Sequence, residues 1–489
     1  MTTVRRALAL SFLERYLSIV LALGSGMVLA RLLTPEQIGM YSVTLAVIGL
    51  AHVLREFGVG NYLIQQKDLN DDHVRTAFGL ALGMGGTLAV VIYAAASWVA
   101  RFYSAPEMAG LMRIVALNFL VLPFCSISLS LLRRAMQFKA LLYVNLAALS
   151  LGTAVTLALA WAGHGPTSMA VGAVVGNVAT GFGAWWARGR PPLLRPGWKE
   201  WRIVMNFGGQ SAATGIVTTV AIDINDLVVG RVLGFTSVAV LSRAQGLMNL
   251  FHRDLMGAVR NVAYPAYART YHSGGDIEAA HVSSVVMVTA CAWPFYGFVS
   301  LFSLEILRLM FGPQWDAAAV LVPVFCLAGA LGATSSLAMN ALMAIGRVDL
   351  VTKTELVFQP VRAAMAVGAA VVFKSVMACA LAYLLTFALH PLVAYAVKQR
   401  ALPTAFACLF SGLARSAAVS ALTLMPAVVW LMSRGSNDTT RGSAIELIGA
   451  ALVTASAWLL SLRWLRHPLA MDQAFRGVMA RIPIVGRVL

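Results

Sequence analysis

From Ala140 to Ala187 the chain carries no Asp, Glu, Lys or Arg, and the run is interrupted only by the turn-forming Gly163-His164-Gly165-Pro166. About 20 apolar residues cross the hydrocarbon core of a bilayer as a helix, so the run predicts two crossings joined by a tight turn. Lipid offers no hydrogen-bond partners, and such a hairpin must satisfy its backbone N–H and C=O groups within its own helices. This feature restricts the chain to an all-α, polytopic membrane protein.

The same criterion predicts about fourteen transmembrane helices, at 11–31, 38–57, 76–100, 109–131, 140–162, 168–187, 205–230, 237–258, 279–303, 316–343, 354–374, 376–397, 413–433 and 444–463. With 59% apolar and 12% charged residues and a mean hydropathy of +0.78, too few polar side chains remain to clothe a soluble globule. Cys125, Cys291, Cys326, Cys379 and Cys408 lie singly in apolar stretches, so no disulfide, metal site or cofactor is expected. Met1 to Arg6 have the basic flank of a signal peptide, but the following apolar run is too long and lacks a small-residue cleavage site. A retained first helix is expected.

The net charge of +17 is dispersed along the chain rather than gathered on one face, which excludes nucleic acid as a partner. With a cytoplasmic N-terminus, roughly 25 Lys and Arg fall in inward loops and about 8 in outward ones. The inward clusters are Arg133, Arg134 and Lys139; Arg188, Arg190, Arg195, Lys199 and Arg202; and Lys398 with Arg400. The basic tail, 464–489, has two readings: an interfacial amphipathic helix carrying Met471, Phe475, Val478, Met479 and Ile482, or a disordered segment weakened by Gly477, Pro483 and Gly486.

The chain also matches itself at a shift of 200 residues. Leu29-Ala-Arg-Leu-Leu33, then Ile38, Gly39 and Ser42, align with Val229-Gly-Arg-Val-Leu233, then Val238, Ala239 and Ser242, and His52 falls on His252. Arg55-Glu56 lies close to the register of Arg253-Asp254. The shift covers an even number of helices, so the repeats share one orientation, related by a pseudo-twofold along the membrane normal. The expected organisation is an N-lobe of six helices (1–190), a cytoplasmic linker (191–202), a C-lobe of six helices (203–400), two appended helices (401–463) and the tail (464–489).

At these residues the chain resembles a known family. Ala30-Arg-Leu-Leu-Thr-Pro-Glu-Gln-Ile-Gly-Met-Tyr41, Glu56-Phe-Gly-Val-Gly60, Leu63-Ile-Gln-Gln66, Asp226-Leu-Val-Val-Gly-Arg-Val-Leu-Gly234 and Val262-Ala-Tyr-Pro-Ala-Tyr267 are similar to segments of the Wzx-type polysaccharide transporters of the multidrug/oligosaccharidyl-lipid/polysaccharide flippase superfamily. The resemblance implies a flippase in the bacterial inner membrane with both termini cytoplasmic. It would move undecaprenyl-diphosphate-linked oligosaccharide to the periplasmic leaflet for exopolysaccharide, O-antigen or capsule assembly, by alternating access about a cationic central cavity. Its partners would be that lipid-linked substrate, membrane lipids, a driving proton or sodium ion, and polysaccharide polymerase machinery.

An anionic diphosphate head cannot cross hydrocarbon unsheltered, and arginine, with a fork of donors and a persistent charge, suits it best. The candidate substrate-binding residues are Arg362, about 13 Å into its helix and preceded by Gln359 and Pro360; Arg243; Arg15, beside Glu14; and Arg55 and Arg253, each beside an acid. Each has the competing reading of a structural pair or a snorkelling side chain. Asp223, Asn225 and Asp226 are candidates for ion coupling, against a pair with Arg231 or Arg243. His52, His252, His281 and His390 stand alone and are expected to be satisfied polar residues.

Two rival functions remain. A multidrug or cation antiporter of the same superfamily would want acids where this chain has arginines. A membrane glycosyltransferase or polymerase would want a large outward loop or a catalytic constellation, and neither is present. The chain is therefore expected not to be an enzyme, while flipping of peptidoglycan precursors shares all of this physics.

Overall fold

The computed structural model describes residues 2–56, 59–189, 195–199, 201–202, 219–220, 223–433 and 444–479, and among these all regular structure is helical. The helices are α1 Thr2–Leu32, α2 Pro35–Glu56, α3 Val59–Gln65, α4 Asp71–Phe102, α5 Glu107–Arg134, α6 Phe138–Trp161, α7 Thr167–Arg188 and α8 at 223–232. Next come α9 Phe235–Asn249, a π-helical segment Leu250–Leu255, α10 Met256–His272, α11 Ile277–Leu301, α12 Ser303–Phe311, a 3-10 turn Pro313–Trp315, α13 Asp316–Ala319, α14 Val322–Ala333 and α15 Ala338–Ala344. The series ends with α16 Val348–Gly368, a π segment Ala369–Phe373, α17 Val376–Lys398, α18 Phe406–Ser433, α19 Ala444–Trp464, α20 Pro468–Met471 and α21 Gln473–Met479.

Ten of the spans read from the sequence coincide with helices long and apolar enough to cross a membrane: Leu13–Leu32, Asp71–Phe102, Glu107–Arg134, Phe138–Trp161, Ile277–Leu301, Val322–Ala344, Val348–Phe373, Val376–Lys398, Phe406–Ser433 and Ala444–Trp464. The protein is a multi-pass, all-α membrane protein. Of the other expected spans, 38–57 and 168–187 correspond to α2 and α7, and 237–258 to α9 and its π continuation. Most of the seventh, 205–230, lies outside the described residues, as do 191–194 of the linker and the end of the tail.

The chain divides into two compact units, residues 1–239 and 240–489. Within the first, the α1–α2 junction is a reciprocal cap. The Gln37 N–H donates to Thr34 Oγ1 at 3.3 Å, and the Thr34 N–H donates to Gln37 Oε1 at 3.1 Å, with Pro35 opening α2. This is why Thr-Pro-Glu-Gln stands in the family-like segment. Gly39 is required next, because a Cβ there would lie 1.9 Å from the Phe235 carbonyl oxygen. Arg134, counted in an inward basic cluster, closes the C-terminal end of α3, donating from Nη1 to the carbonyls of Leu63, Ile64 and Gln66 at 2.9, 3.1 and 2.6 Å. Residues 195–199 of the linker lie on α4, with the Gly197 N–H bonded to Arg75 O at 2.9 Å and Lys199 3.1 Å from Asp72.

In the second unit α11 packs against α14 and α18. The N-terminal start of α11 holds a buried ion pair: fully buried Lys398 on α17 bonds to Glu278 on α11 and, at 3.0 Å, to Thr404 Oγ1. Glu278 also accepts the Ala405 N–H at 3.1 Å. The beginning of the tail is helical and docked: Leu469 and Ala470 are buried against Ala290, Val419 and Leu462, and the Phe475 ring lies 5.9 Å from that of Trp458. Arg481, Ile482 and Arg487 lie outside the described residues.

Candidate functional site

Arg362 sits in the 26-residue span Val348–Phe373, about 21 Å along it and so near its middle. It is half-buried and forms no ion pair among the described residues. Its charge acts on His252, Tyr383 and His390, while Arg260 acts on His252 and Glu355 on His390, so charges of both signs bear on these polar side chains of the second unit. Tyr383 Oη accepts from Gln245 Nε2 at 3.1 Å, and His390 Nδ1 shares a hydrogen bond with Ser335 Oγ at 3.0 Å. Gln359, one turn before Arg362, donates to Glu355 Oε2 at 2.8 Å, while its own Oε1 is buried with no hydrogen-bond partner among the described residues.

Aromatic rings wall this polar seam. Phe387 stacks on Tyr383 at 4.7 Å and meets His252 at 5.2 Å, while Phe358 meets His390 at 5.1 Å. Rings and aliphatic neighbours keep the local dielectric low, which strengthens any interaction Arg362 makes with an anion. Helix geometry brings the seam together: Gln245 and His252, Glu355 and Arg362, and Tyr383 and His390 are each two turns apart, so each pair lies on one helix face. That repeated spacing of seven is the signal in the sequence that reading each histidine in isolation passes over.

The other arginines read from the sequence have different surroundings. The Arg243 guanidinium lies 4.7 Å from the Phe311 ring centroid and 4.9 Å from that of fully buried Trp315, a double cation–π contact fastening α9 to α12 and the turn after it. Arg253, on the π segment with His252, is 71% exposed and 3.1 Å from its sequence neighbour Asp254. In the first unit Arg55 is half-buried and its charge acts on His52 and Cys125, while the His52 ring packs 4.8 Å from Phe119. Arg15 is exposed on α1, and its neighbour Glu14 accepts from Asn145 Nδ2 at 2.6 Å.

The candidate coupling residues share α8. A Cβ at Gly49 would lie 2.0 Å from Asp223 Oδ2, so the Asp223 carboxylate rests on the α2 backbone where only glycine gives it room. Asp226 stands one turn further along the same face, and Asn225 Oδ1 is buried with no hydrogen-bond partner among the described residues. The competing reading, a pair with Arg231 or Arg243, is not formed among the described residues: Arg231 lies over the Phe102 ring at 5.2 Å, and Arg243 faces Phe311 and Trp315. Of the lone histidines, His281 departs from expectation. Both its ring nitrogens are buried without hydrogen-bond partners among the described residues, with Glu278 Oε2 3.7 Å from Nδ1.

Residues 28–320 match a family described as polysaccharide biosynthesis protein. The chain is 23% identical over 343 residues to the lipopolysaccharide biosynthesis protein WzxC of Escherichia coli K12, covering 68% of each chain. It is 23% identical over 288 residues to the succinoglycan biosynthesis transport protein ExoT of Rhizobium meliloti, covering 59% of this chain and 58% of that one. Its fold is that of a solved structure of the lipid II flippase MurJ in an inward closed conformation, with a TM-score of 0.72 over 94% of this chain and 99% of the other at 13% identity. The resemblance read from the α1–α2 and α8 segments is borne out.

Proposed function

This chain belongs to the polysaccharide biosynthesis protein family, and from that premise we propose that it carries a polyprenyl-diphosphate-linked oligosaccharide from the cytoplasmic to the outer leaflet of a bacterial inner membrane. Family membership and a lipid-flippase fold support a transporter rather than an enzyme. The names of the relatives, one concerned with lipopolysaccharide and one with succinoglycan transport, support a glycan cargo without choosing among glycans. The observation that carries the proposal is Arg362: an arginine in mid-span, without an ion-pair partner among the described residues, whose charge acts on Tyr383, His252 and His390.

In this reading Arg362 takes the diphosphate, because a guanidinium matches two phosphate oxygens at once. Gln245, Tyr383 and His390 hold the site open and polar around it. Arg15, Arg55 and Arg253 are assigned to capture of the head group, and Arg243 to holding α9 on its aromatic partners. Asp223, Asn225 and Asp226 are assigned to a proton or sodium ion that drives alternating access. Their support is the Asp223 carboxylate resting on Gly49 and the unpartnered Asn225 oxygen.

The test is a deletion strain in which lipid-linked repeat units are followed by leaflet. The expected result is accumulation on the cytoplasmic leaflet, relieved by the wild-type gene and not by Arg362→Ala at equal membrane level. Precursor reaching the outer leaflet at the normal rate without the protein removes the proposal.

A further inference from the structure

A cavity of about 400 Å³ opens within the first unit between α1, α2, α6 and α7, remote in sequence from the Arg362 seam. Its polar lining is neutral throughout: Tyr41, Asn145, Thr153, Thr156, Asn177 and Thr180, with Ser25 at α1. Seven uncharged hydrogen-bonding side chains facing hydrocarbon would be costly, so the space suits a polar occupant. The protons of several of these groups are already committed. Thr156 Oγ1 donates to Gly152 O at 2.9 Å, Thr180 Oγ1 to Gly176 O at 2.9 Å, and Ser25 Oγ to Ala22 O at 3.0 Å. Asn145 donates to Glu14 at 2.6 Å and Asn177 to Asn118 Oδ1 at 2.8 Å. What remains toward the cavity is mixed: acceptor lone pairs on most of these groups, with the second amide N–H of Asn145 and of Asn177 and the Tyr41 and Thr153 hydroxyls as donors.

Acceptors with donors among them call for a ligand whose groups both donate and accept, as hydroxyls do. A bare cation is disfavoured because no carboxylate lines the cavity, and because the volume falls in the range of organic ligands, about 300–1,000 Å³, rather than of an ion. An anion is disfavoured because the lining holds no Arg, Lys or His. The room exists because α6 and α7 meet glycine to glycine: a Cβ on Gly172 would lie 1.8 Å from Thr156 Oγ1, and one on Gly152 would lie 2.9 Å from Gly172 O. We propose that this cavity binds a neutral sugar residue of the glycan, separately from the diphosphate at Arg362. The assignment rests on the transport reading above.

The probes are the repeat-unit oligosaccharide cut from the host's exported polysaccharide, inorganic pyrophosphate and sodium chloride. In purified Cys408→Ser protein carrying Thr153→Cys, labelling by an impermeant maleimide should slow on the order of tenfold in the oligosaccharide and not in the other two, about 1.4 kcal/mol of protection. Wild-type Cys408, which is exposed, reports any general change in labelling. Adding Thr156→Val, which removes one acceptor at constant volume, should weaken the protection. Unchanged labelling in the oligosaccharide, or equal slowing by pyrophosphate or sodium, overturns the proposal. Precursor accumulation in the deletion strain together with unprotected Thr153→Cys would leave transport standing and this site refuted. Protection without accumulation would do the reverse.

Discussion

In residues 1–239 the intramembrane polar groups are mostly neutral and border open space, as around Asn145 and Asn177, and the acids of α8 have no ion-pair partner among the described residues. In residues 240–489 charge enters the interior: in a buried pair at Lys398–Glu278, against aromatic rings at Arg243, and two turns apart on α16 at Glu355 and Arg362. Two stretches that align at their helix junctions thus handle polarity inside the bilayer differently. The lesson is that the junction motifs specify how helices are capped and how closely they pack, while the side chains facing the interior of each unit are free to diverge toward separate tasks.

The contrast is sharpest in what a single deletion should do. Lys398→Met leaves the Glu278 carboxylate buried and unpaired, and is expected to cost about 3–5 kcal/mol, read as a lowered melting temperature in detergent. Adding Glu278→Gln should recover much of the loss; no recovery would mean that Lys398 acts through packing. Next in size is Arg362→Ala, expected to cut export by about ten- to a hundredfold, from a charge-assisted contact of about 1.5–3 kcal/mol, with Arg362→Lys retaining part of the activity. Equal export by the alanine variant at matched membrane level would dissolve the distinction between the units.

In the first unit, Gly49→Ala should displace the Asp223 carboxylate and destabilise by about 1–3 kcal/mol. If Asp223 is engaged in coupling, the variant should also flatten the pH or sodium dependence of translocation, and so should Asp226→Asn. An unaltered ion dependence in both would make the α8 acids structural.

The smallest effect is expected at the exposed Arg308–Asp316 pair, joined at 2.6 Å outside the spans. The Arg308 hydrogen bond holds the Asp316 carboxyl below its ordinary value and raises that of Arg308 itself. A depressed carboxyl adds stability above its unfolded pKa of about 3.9, and the contribution is lost as pH falls through the lower folded value. Solvent screening limits it to about 1 kcal/mol or less, so Arg308→Ala should change thermal stability little at pH 7, and progressively less as falling pH protonates Asp316. A large effect at neutral pH would show the pair to be anchoring α12.

Much of the architecture was legible along the chain because the causes are local. Charge-free runs of bilayer length mark helices, Thr34 and Gln37 announce the cap that opens α2, and the glycines at 39, 163 and 234 mark a close approach or a left-handed turn. The mid-span position of Arg362 and the proximity of Asp223 to Asp226 followed from residue spacing alone. The glycine-lined cavity beside Asn145 did not, since hydroxyl and amide residues scattered through apolar helices carry no mark of facing one another.

What the tertiary structure alone decided is which polar groups meet. Gln245 and Tyr383 are 138 residues apart, Asn145 and Glu14 131, and Lys398 and Glu278 120. It also turned Arg243 onto Phe311 and Trp315 rather than onto an acid. The division has a physical origin. Hydrogen bonding within a helix is fixed by residues four apart and can be read in order, whereas in a medium without water a side chain's partner is set by which helix face comes to lie against it.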